Sequence, residues 1–362
     1  MKKVVQYLFR KPLLQLINKF SSAPDKNKIF EKLSTMLLQL QTNAKYNGKV
    51  INNLQGARYV IMSDMHKGNG DDADDFNNAK DKYINALNYY CEHNYNLILL
   101  GDVEELWENN IVEVIVTHQD TYEIENEFAK KNMLYKIYGN HDLFWNTNND
   151  ATKWLAKMYS KPMPVYESIL IQLPQHNNVQ ILLTHGHQGD KQSDGNKLSK
   201  WFVANIWNKV QAYFDVNINT PSKDYLLRNK HNKIMYNWSA AQPNTILITG
   251  HTHKPVFASL NHVQKIMTEL KEAKYSGNNE ETKRLTLLLQ VKLEEYIAVE
   301  QDIPQKPTYF NTGCCCYNDG DITLIELNND AIKLVKWTGS NNNIHRKVLQ
   351  KENFKTLLNK MN

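Results

Sequence analysis

Short apolar runs punctuate the chain, and five of them share an ending. Tyr59-Val60-Ile61-Met62 stops at Ser63-Asp64-Met65-His66. Leu97-Ile98-Leu99-Leu100 stops at Gly101-Asp102, and Tyr135-Lys136-Ile137-Tyr138 stops at Gly139-Asn140-His141-Asp142. Val179-Gln180-Ile181-Leu182-Leu183 runs into Thr184-His185-Gly186-His187, and Thr245-Ile246-Leu247-Ile248 into Thr249-Gly250-His251-Thr252-His253. Runs of this length and composition predict buried strands. Extended backbone through the first ending would place Asp64 and His66 on one side, because side chains alternate along a strand.

Tyr83, Ala86, Leu87 and Tyr90 at helical spacing predict a helix between the first two strands. This βαβ rhythm predicts an α/β fold with a largely parallel core. Tyr309–Gly313 and Ile322–Leu327 read as two strands around an Asp319-Gly320 turn, a hairpin signal, with Ala331–Trp337 as a third strand. Residues 1–50 predict an N-terminal helical extension. Val5, Leu8, Phe9, Leu13, Leu16, Ile17 and Phe20 recur every three to four positions, and a second helix follows over Asp25–Leu40. The extension packs on the core or, as a basic amphipathic helix, lies on an anionic membrane surface. The main domain is expected over 51–345. It carries a helical cap insertion at about 190–242, with Trp201, Phe202, Ile206, Trp207, Val210 and Phe214, and a helical hairpin insertion at about 260–300. Residues 346–362 read as a lysine-rich tail of weak helical character.

Composition narrows the class. Of 362 residues, 41% are hydrophobic and 22% charged, as in a soluble globular protein. The net charge of +5 suits an anionic substrate, but no basic-aromatic groove for nucleic acid stands out. Cys91 and the run Cys314-Cys315-Cys316 fit neither a disulfide framework nor a zinc ribbon, so a reducing cytoplasm is expected. Arg10, Lys11 and Pro12 interrupt any signal-peptide pattern, and no run is long enough to span a bilayer. The expected location is cytoplasmic, with peripheral membrane attachment through the first helix as an option.

The endings carry the chemistry. His66, His141, His185, His187, His251 and His253 are six of the 12 histidines, and Asp64, Asp102 and Asn140 join them. Such groups clustered at one sheet rim pay a desolvation and repulsion cost that a bound cation removes. Imidazole, carboxylate and amide donors without thiolate suit Mn first, then Fe, Zn, Co or Ni. Seven donors, Asp64, His66, Asp102, Asn140, His185, His251 and His253, exceed the needs of one ion. Two divalent ions sharing a carboxylate are the simplest arrangement. Asp71, Asp72, Asp74 and Asp75 read as a solvated loop and helix start, not as ligands.

In this order and spacing, the motifs Asp64-x-His66, Gly101-Asp102, Gly139-Asn140-His141-Asp142, His185-Gly186 and Gly250-His251-Thr252-His253 resemble those of the calcineurin-like metallophosphoesterases, over about Arg58–Pro255. The resemblance implies a four-layer α/β/β/α sandwich of two mixed sheets with helical insertions. It implies a phosphatase or phosphodiesterase whose nucleophile is a metal-bridging hydroxide. Asp64, His66 and His253 would hold one ion, Asn140, His185 and His251 the other, and Asp102 would bridge them. His141 would stabilise or protonate the leaving group, oriented by Asp142, while His187 and Glu105 would line the site. The spelling Gly101-Asp102-x-x-Glu105-x-Trp107 is similar to that of UDP-2,3-diacylglucosamine pyrophosphatases, although those usually carry Arg at the position of His141. A phosphorylated small molecule or lipid is the expected substrate. A nuclease and a catalytically silent metal-binding scaffold are the other readings.

Overall fold

The computed structural model describes residues 24–42, 46–52, 54, 56–189, 225–260, 262–294 and 306–361. The strands are β1 Gly48–Ile51, β2 Tyr59–Met62, β3 Asn96–Leu100, β4 Leu134–Ile137, β5 Val165–Tyr166 and β6 Ser168–Leu173. They continue as β7 Val179–Thr184, β8 Thr245–Thr249, β9 Tyr309–Asn311, β10 Ile322–Leu327, β11 Ala331–Thr338 and β12 His345–Asn353. The helices used below are α1 Lys26–Gln41, α2 Lys80–Glu92, α3 Ile111–Thr117, α4 Gln119–Lys130, α5 Phe144–Thr147 and α6 Ala151–Tyr159. After them come α7 Tyr225–Ala241, α8 His262–Tyr275, α9 Asn279–Glu294 and α10 Phe354–Met361.

Two mixed sheets form, in the orders β1-β6-β7-β8-β9 and β12-β11-β10-β2-β3-β4-β5. β2 through β5 are parallel, as are β7, β8 and β9. Strand alternation sorts the side chains into three apolar layers. Val60, Met62, Leu97 and Leu99 face α2, α4 and α6, whereas Tyr59, Ile61, Ile98 and Leu100 face the other sheet. On that sheet Ile169, Ile181 and Ile246 look inward, and Leu170, Leu182 and Leu247 look out toward α1 and α7. Strands buried on both faces read as continuous apolar runs rather than as alternation. The result is the four-layer α/β/β/α sandwich.

Several expectations change. Tyr309–Asn311 and Ile322–Leu327 do not pair as a hairpin: β9 lies parallel to β8 in one sheet, and β10 antiparallel to β2 in the other. The Asp319-Gly320 turn exists, with Gly320 N–H donating to Tyr317 O at 2.7 Å, but it belongs to a crossover between sheets. The boundary at 345 falls at the start of β12, an edge strand on β11 whose lysines discourage further pairing. After it, Phe354, Leu357 and Met361 of α10 plug the layer between the sheets. The boundary at 50 cuts β1, which pairs with β6, and α1 buries Ile29, Leu33, Met36 and Leu40 in the outer layer. Helix α1 starts where Asp25 accepts from Asn27 N at 3.1 Å, a side-chain N-cap. Strands β1, β5 and β6 had no counterpart in the pattern reading. The aromatic cap segment at 201–214 and the amphipathic stretch at 5–20 lie outside the described residues. Helices α8 and α9 form a hairpin with its own small cluster of Ile266, Leu270, Ala273 and Leu285.

Candidate metal centre

Asp64, His66, Asp102, Asn140, His141, His185, His251 and His253 all follow the C-terminal ends of β2, β3, β4, β7 and β8. Ligands gather at the carboxyl ends of parallel strands, where the loops converge. The convergence is not produced by pleating, as the extended reading of Asp64 and His66 supposed. Asp64, His66, Asp102, His251 and His253 have φ of 55°, 53°, 50°, 69° and 54°. These are left-handed conformations that cost free energy for non-glycine residues and persist only when neighbours hold them. Here the neighbours are backbone hydrogen bonds, from Asp64 N to Gly101 O at 3.1 Å and from His66 N to Asp102 O at 3.0 Å. Each turn throws its side chain back over the strand ends. Gly139 is required by close approach, since a Cβ there would collide with the Asp102 carboxylate and backbone.

Two groups of donors result. In the first, Asp64 Oδ1 lies 3.3 Å from His253 Nε2 and 4.0 Å from His66 Nε2, and the two imidazole nitrogens are 3.1 Å apart. In the second, Asp102, His185 and His251 present donors within 4.8 Å of one another. Asp102 Oδ2 touches both groups, 3.0 Å from His185 Nε2 and 3.8 Å from His66 Nε2. His185 Nδ1–H donates to Leu100 O at 2.9 Å, which turns Nε2 toward Asp102. Asp64 accepts from His251 N at 3.0 Å, and Ser63 Oγ also donates to it.

The donor set fits cations. Asn140 Oδ1, His185 Nε2 and His251 Nε2 are buried without a hydrogen-bond partner, a costly state that coordination would relieve. Electrostatics agree. Burial would raise Asp64 and Asp102, but His253 and His185 hold Asp64 low, and His185 and His141 hold Asp102 well below the carboxylate range. Burial lowers His185, yet Asp102 and Asp64 lift it to about 9. Burial and the charge of His185 push His251 well down. Without an ion, then, protons on imidazoles balance the carboxylates.

Asp142 does not orient His141. Its carboxylate accepts from Gly139 N at 2.5 Å and Val103 N at 2.9 Å, so it ties the loops after β3 and β4 together. Burial leads in lifting Asp142 to about 7, with Glu104 and Asp102 adding to it against Lys136. Glu105, not Asp142, is the carboxylate that lies against His141. Its Oε2 accepts from His66 Nδ1 at 3.0 Å and lies 2.6 Å from His141 Nδ1, off the ring's N–H axis. Burial opposes ionisation of Glu105, but His141 and His66 hold it at about 2; in return Glu105 and Asp102 lift His141 to about 9 against burial. Trp107 completes the clamp by stacking on His141, with centroids 4.0 Å apart and planes at 21°. His187 is buried beside His185 and Tyr138 and belongs to neither donor group.

Two groups escaped sequence reading. His231 on α7 is buried with its ring 5.2 Å from His251 and neither nitrogen hydrogen-bonded; a lone histidine in a helix gives no signal. Beneath His66 and Glu105, Lys67 pairs with Glu125 at 2.5 Å and Lys136 with Glu104 at 2.9 Å, all buried. Tyr83 and Tyr159 donate to Glu125 and Trp145 to Glu104, each at 2.7 Å. Apolar-run logic does not foresee charges inside a layer.

An α/β/β/α sandwich carrying a carboxylate–imidazole centre at its strand ends defines a metal-dependent phosphoesterase. The description calcineurin-like phosphoesterase matches residues 57–255, more than half of the chain, and the chain belongs to that family. No curated protein matches it. Among solved structures it is similar to Vacuolar Protein Sorting 29 from Cryptosporidium parvum, at 11% identity and a TM-score of 0.32, covering 82% of this chain and 98% of that one. It is also similar to the calcineurin-like phosphoesterase YfkN from Bacillus subtilis, at 12% identity and a TM-score of 0.29, covering 82% and 89%. Among the described residues, no helix is long and apolar enough to cross a membrane.

Proposed function

We propose that the chain hydrolyses phosphoester bonds through a dinuclear centre. Asp64, His66 and His253 would hold one divalent ion, Asn140, His185 and His251 the other, and Asp102 would serve both. The position of Asp102 Oδ2, between His66 Nε2 and His185 Nε2, carries this reading. When bound, such ions polarise a phosphoryl oxygen and lower the pKa of the attacking water. The chain's own contribution is orientation and a proton. Glu105 fixes the tautomer of His66 and keeps His141 charged, and Trp107 fixes the plane of the His141 ring. His141 Nδ1 lies against the Glu105 carboxylate, so Nε2 is the nitrogen left to steady or protonate the departing oxygen. At 24% side-chain exposure, His141 is more open than His66 or His185, as a group meeting substrate must be. Manganese suits these oxygen and nitrogen donors, with Fe, Zn, Co and Ni as alternatives.

The Glu105-x-Trp107 spelling is accounted for by the clamp on His141, so it favours no particular leaving group. A substrate panel separates a nucleotide-lipid pyrophosphate from a simpler phosphate ester. The test is metal content followed by a substrate panel. Manganese-reconstituted protein is expected to retain two ions per chain and to cleave an aryl phosphodiester or monoester, and Asp102→Ala to lose both properties. Full metal content and rate in Asp102→Ala would reject the shared carboxylate.

A further inference from the structure

A third group of donors lies behind His253. Cys314, Cys315 and Cys316 sit in the crossover from β9 to β10. Cys315 points into the apolar layer under α2. Cys314 and Cys316 are also buried, and with His253 they present ligand atoms within 4.8 Å of one another. Cys316 Sγ lies 3.7 Å from His253 Nδ1. The opposite nitrogen of the same ring, Nε2, faces Asp64 and His66. One imidazole therefore has a thiol side and a carboxylate side.

We propose that Cys314, Cys316 and His253 Nδ1 form a binding site for a thiophilic d10 cation such as Cd²⁺ or Zn²⁺. Two thiolates and an imidazole are an established ligand combination for such ions, with an open fourth position for water. Donors around a tetrahedral ion bonded at about 2.0–2.3 Å stand roughly 3.3–3.8 Å apart, so closure by about 1 Å through side-chain rotation suffices. Softness separates the two sides: carboxylates and imidazoles suit Mn, whereas thiolates select softer ions. As the metal–sulfur bonds form, each thiol releases its proton to solvent; Nδ1 gives up its own as it coordinates and Nε2 takes one up as it leaves the Asp64 side, so the ring stays a neutral imidazole. The ring is then pulled toward the thiols and away from Asp64. Occupation of the site should therefore inhibit hydrolysis; this consequence rests on the dinuclear reading above, whereas the binding itself does not.

The experiment titrates full-length, manganese-loaded protein with CdCl₂ in the presence of a phosphine reductant. The ultraviolet thiolate-to-cadmium charge-transfer band and aryl phosphodiester hydrolysis are read on the same sample. The expected result is a band that saturates at one Cd²⁺ per chain while hydrolysis falls at least tenfold in step. Cys314→Ser/Cys316→Ser should show no band, and Cys91→Ser should keep it. No band in the wild type overturns the site, as does a band lost in Cys91→Ser or one of equal size in the double variant. A saturated band with undiminished hydrolysis overturns the withdrawal of His253. Protein that hydrolyses nothing before cadmium is added refutes the phosphoesterase reading instead, and the band still tests the site.

Discussion

Replacing Glu105 by Gln removes a charge while keeping the side chain's shape, and it acts on two imidazoles at once. The oxygen that accepts from His66 Nδ1 at 3.0 Å is the one 2.6 Å from His141 Nδ1. His141 is lifted from an ordinary 6.5 to about 9, with Glu105 ahead of Asp102 among the groups that raise it. One pKa unit corresponds to about 1.4 kcal/mol, so the whole lift is worth roughly 3 kcal/mol. Losing Glu105, the largest of the groups that raise it, should lower His141 by about one unit, on the order of 1.4 kcal/mol. If His141 works as the protonated ring, the alkaline limb of the kcat/KM profile moves down by about one unit. Above that limb, activity falls roughly tenfold. Bound ions shift the limb in wild type and variant alike, so the difference between them is the quantity to read. Loss of the contact to His66 should also weaken metal retention by about 10–100-fold, the usual effect of removing a carboxylate behind a metal-binding imidazole. Saturating manganese separates the two effects. An alkaline limb that stays in place in metal-saturated Glu105→Gln would refute the assignment of Glu105 as the group that charges His141.

His141→Ala should keep both ions and lower turnover by about 10²–10⁴, the usual size of a general-acid contribution; unchanged turnover at full metal content would remove its role. Metal affinity should rise with pH. His185 in the metal-free protein is held at about 9, so below that pH an incoming ion must expel its proton. Between pH 7 and 9 the affinity should climb about tenfold per unit for each proton displaced, measured by competition with a chelator. A flat profile would show either that His185 is not a ligand or that it carries no proton to displace, and would refute this reading.

Much of this centre was legible along the chain. The five apolar runs read as strands because strands buried on both faces leave few polar positions, such as Lys136 in β4 and Gln180 in β7, to break the pattern. Their endings in Asp, Asn and His stood out because such residues are expensive at the rim of an apolar sheet. The four-layer fold followed from that pattern and from its resemblance to a known family, and the same resemblance is the source of the seven proposed donors. Tertiary structure decided the rest, because spacing along the chain carries no record of which loop meets which. Only the packed loops show that Glu105, not Asp142, faces His141, and that Asp142 is occupied by the amides of Val103 and Gly139. The Asp319-Gly320 turn is local and readable, but strand pairing is not. Tyr309 pairs with Leu247 in one sheet and Ile325 with Ile61 in the other, each more than sixty positions away. The left-handed turns at Asp64, His66, Asp102, His251 and His253 are likewise invisible in sequence; those at Asp64 and His66 are held by hydrogen bonds to Gly101 and Asp102, in a loop far along the chain. The meeting of Cys314 and Cys316 with the back of His253 has the same origin: the crossover between sheets passes behind the loop that follows β8.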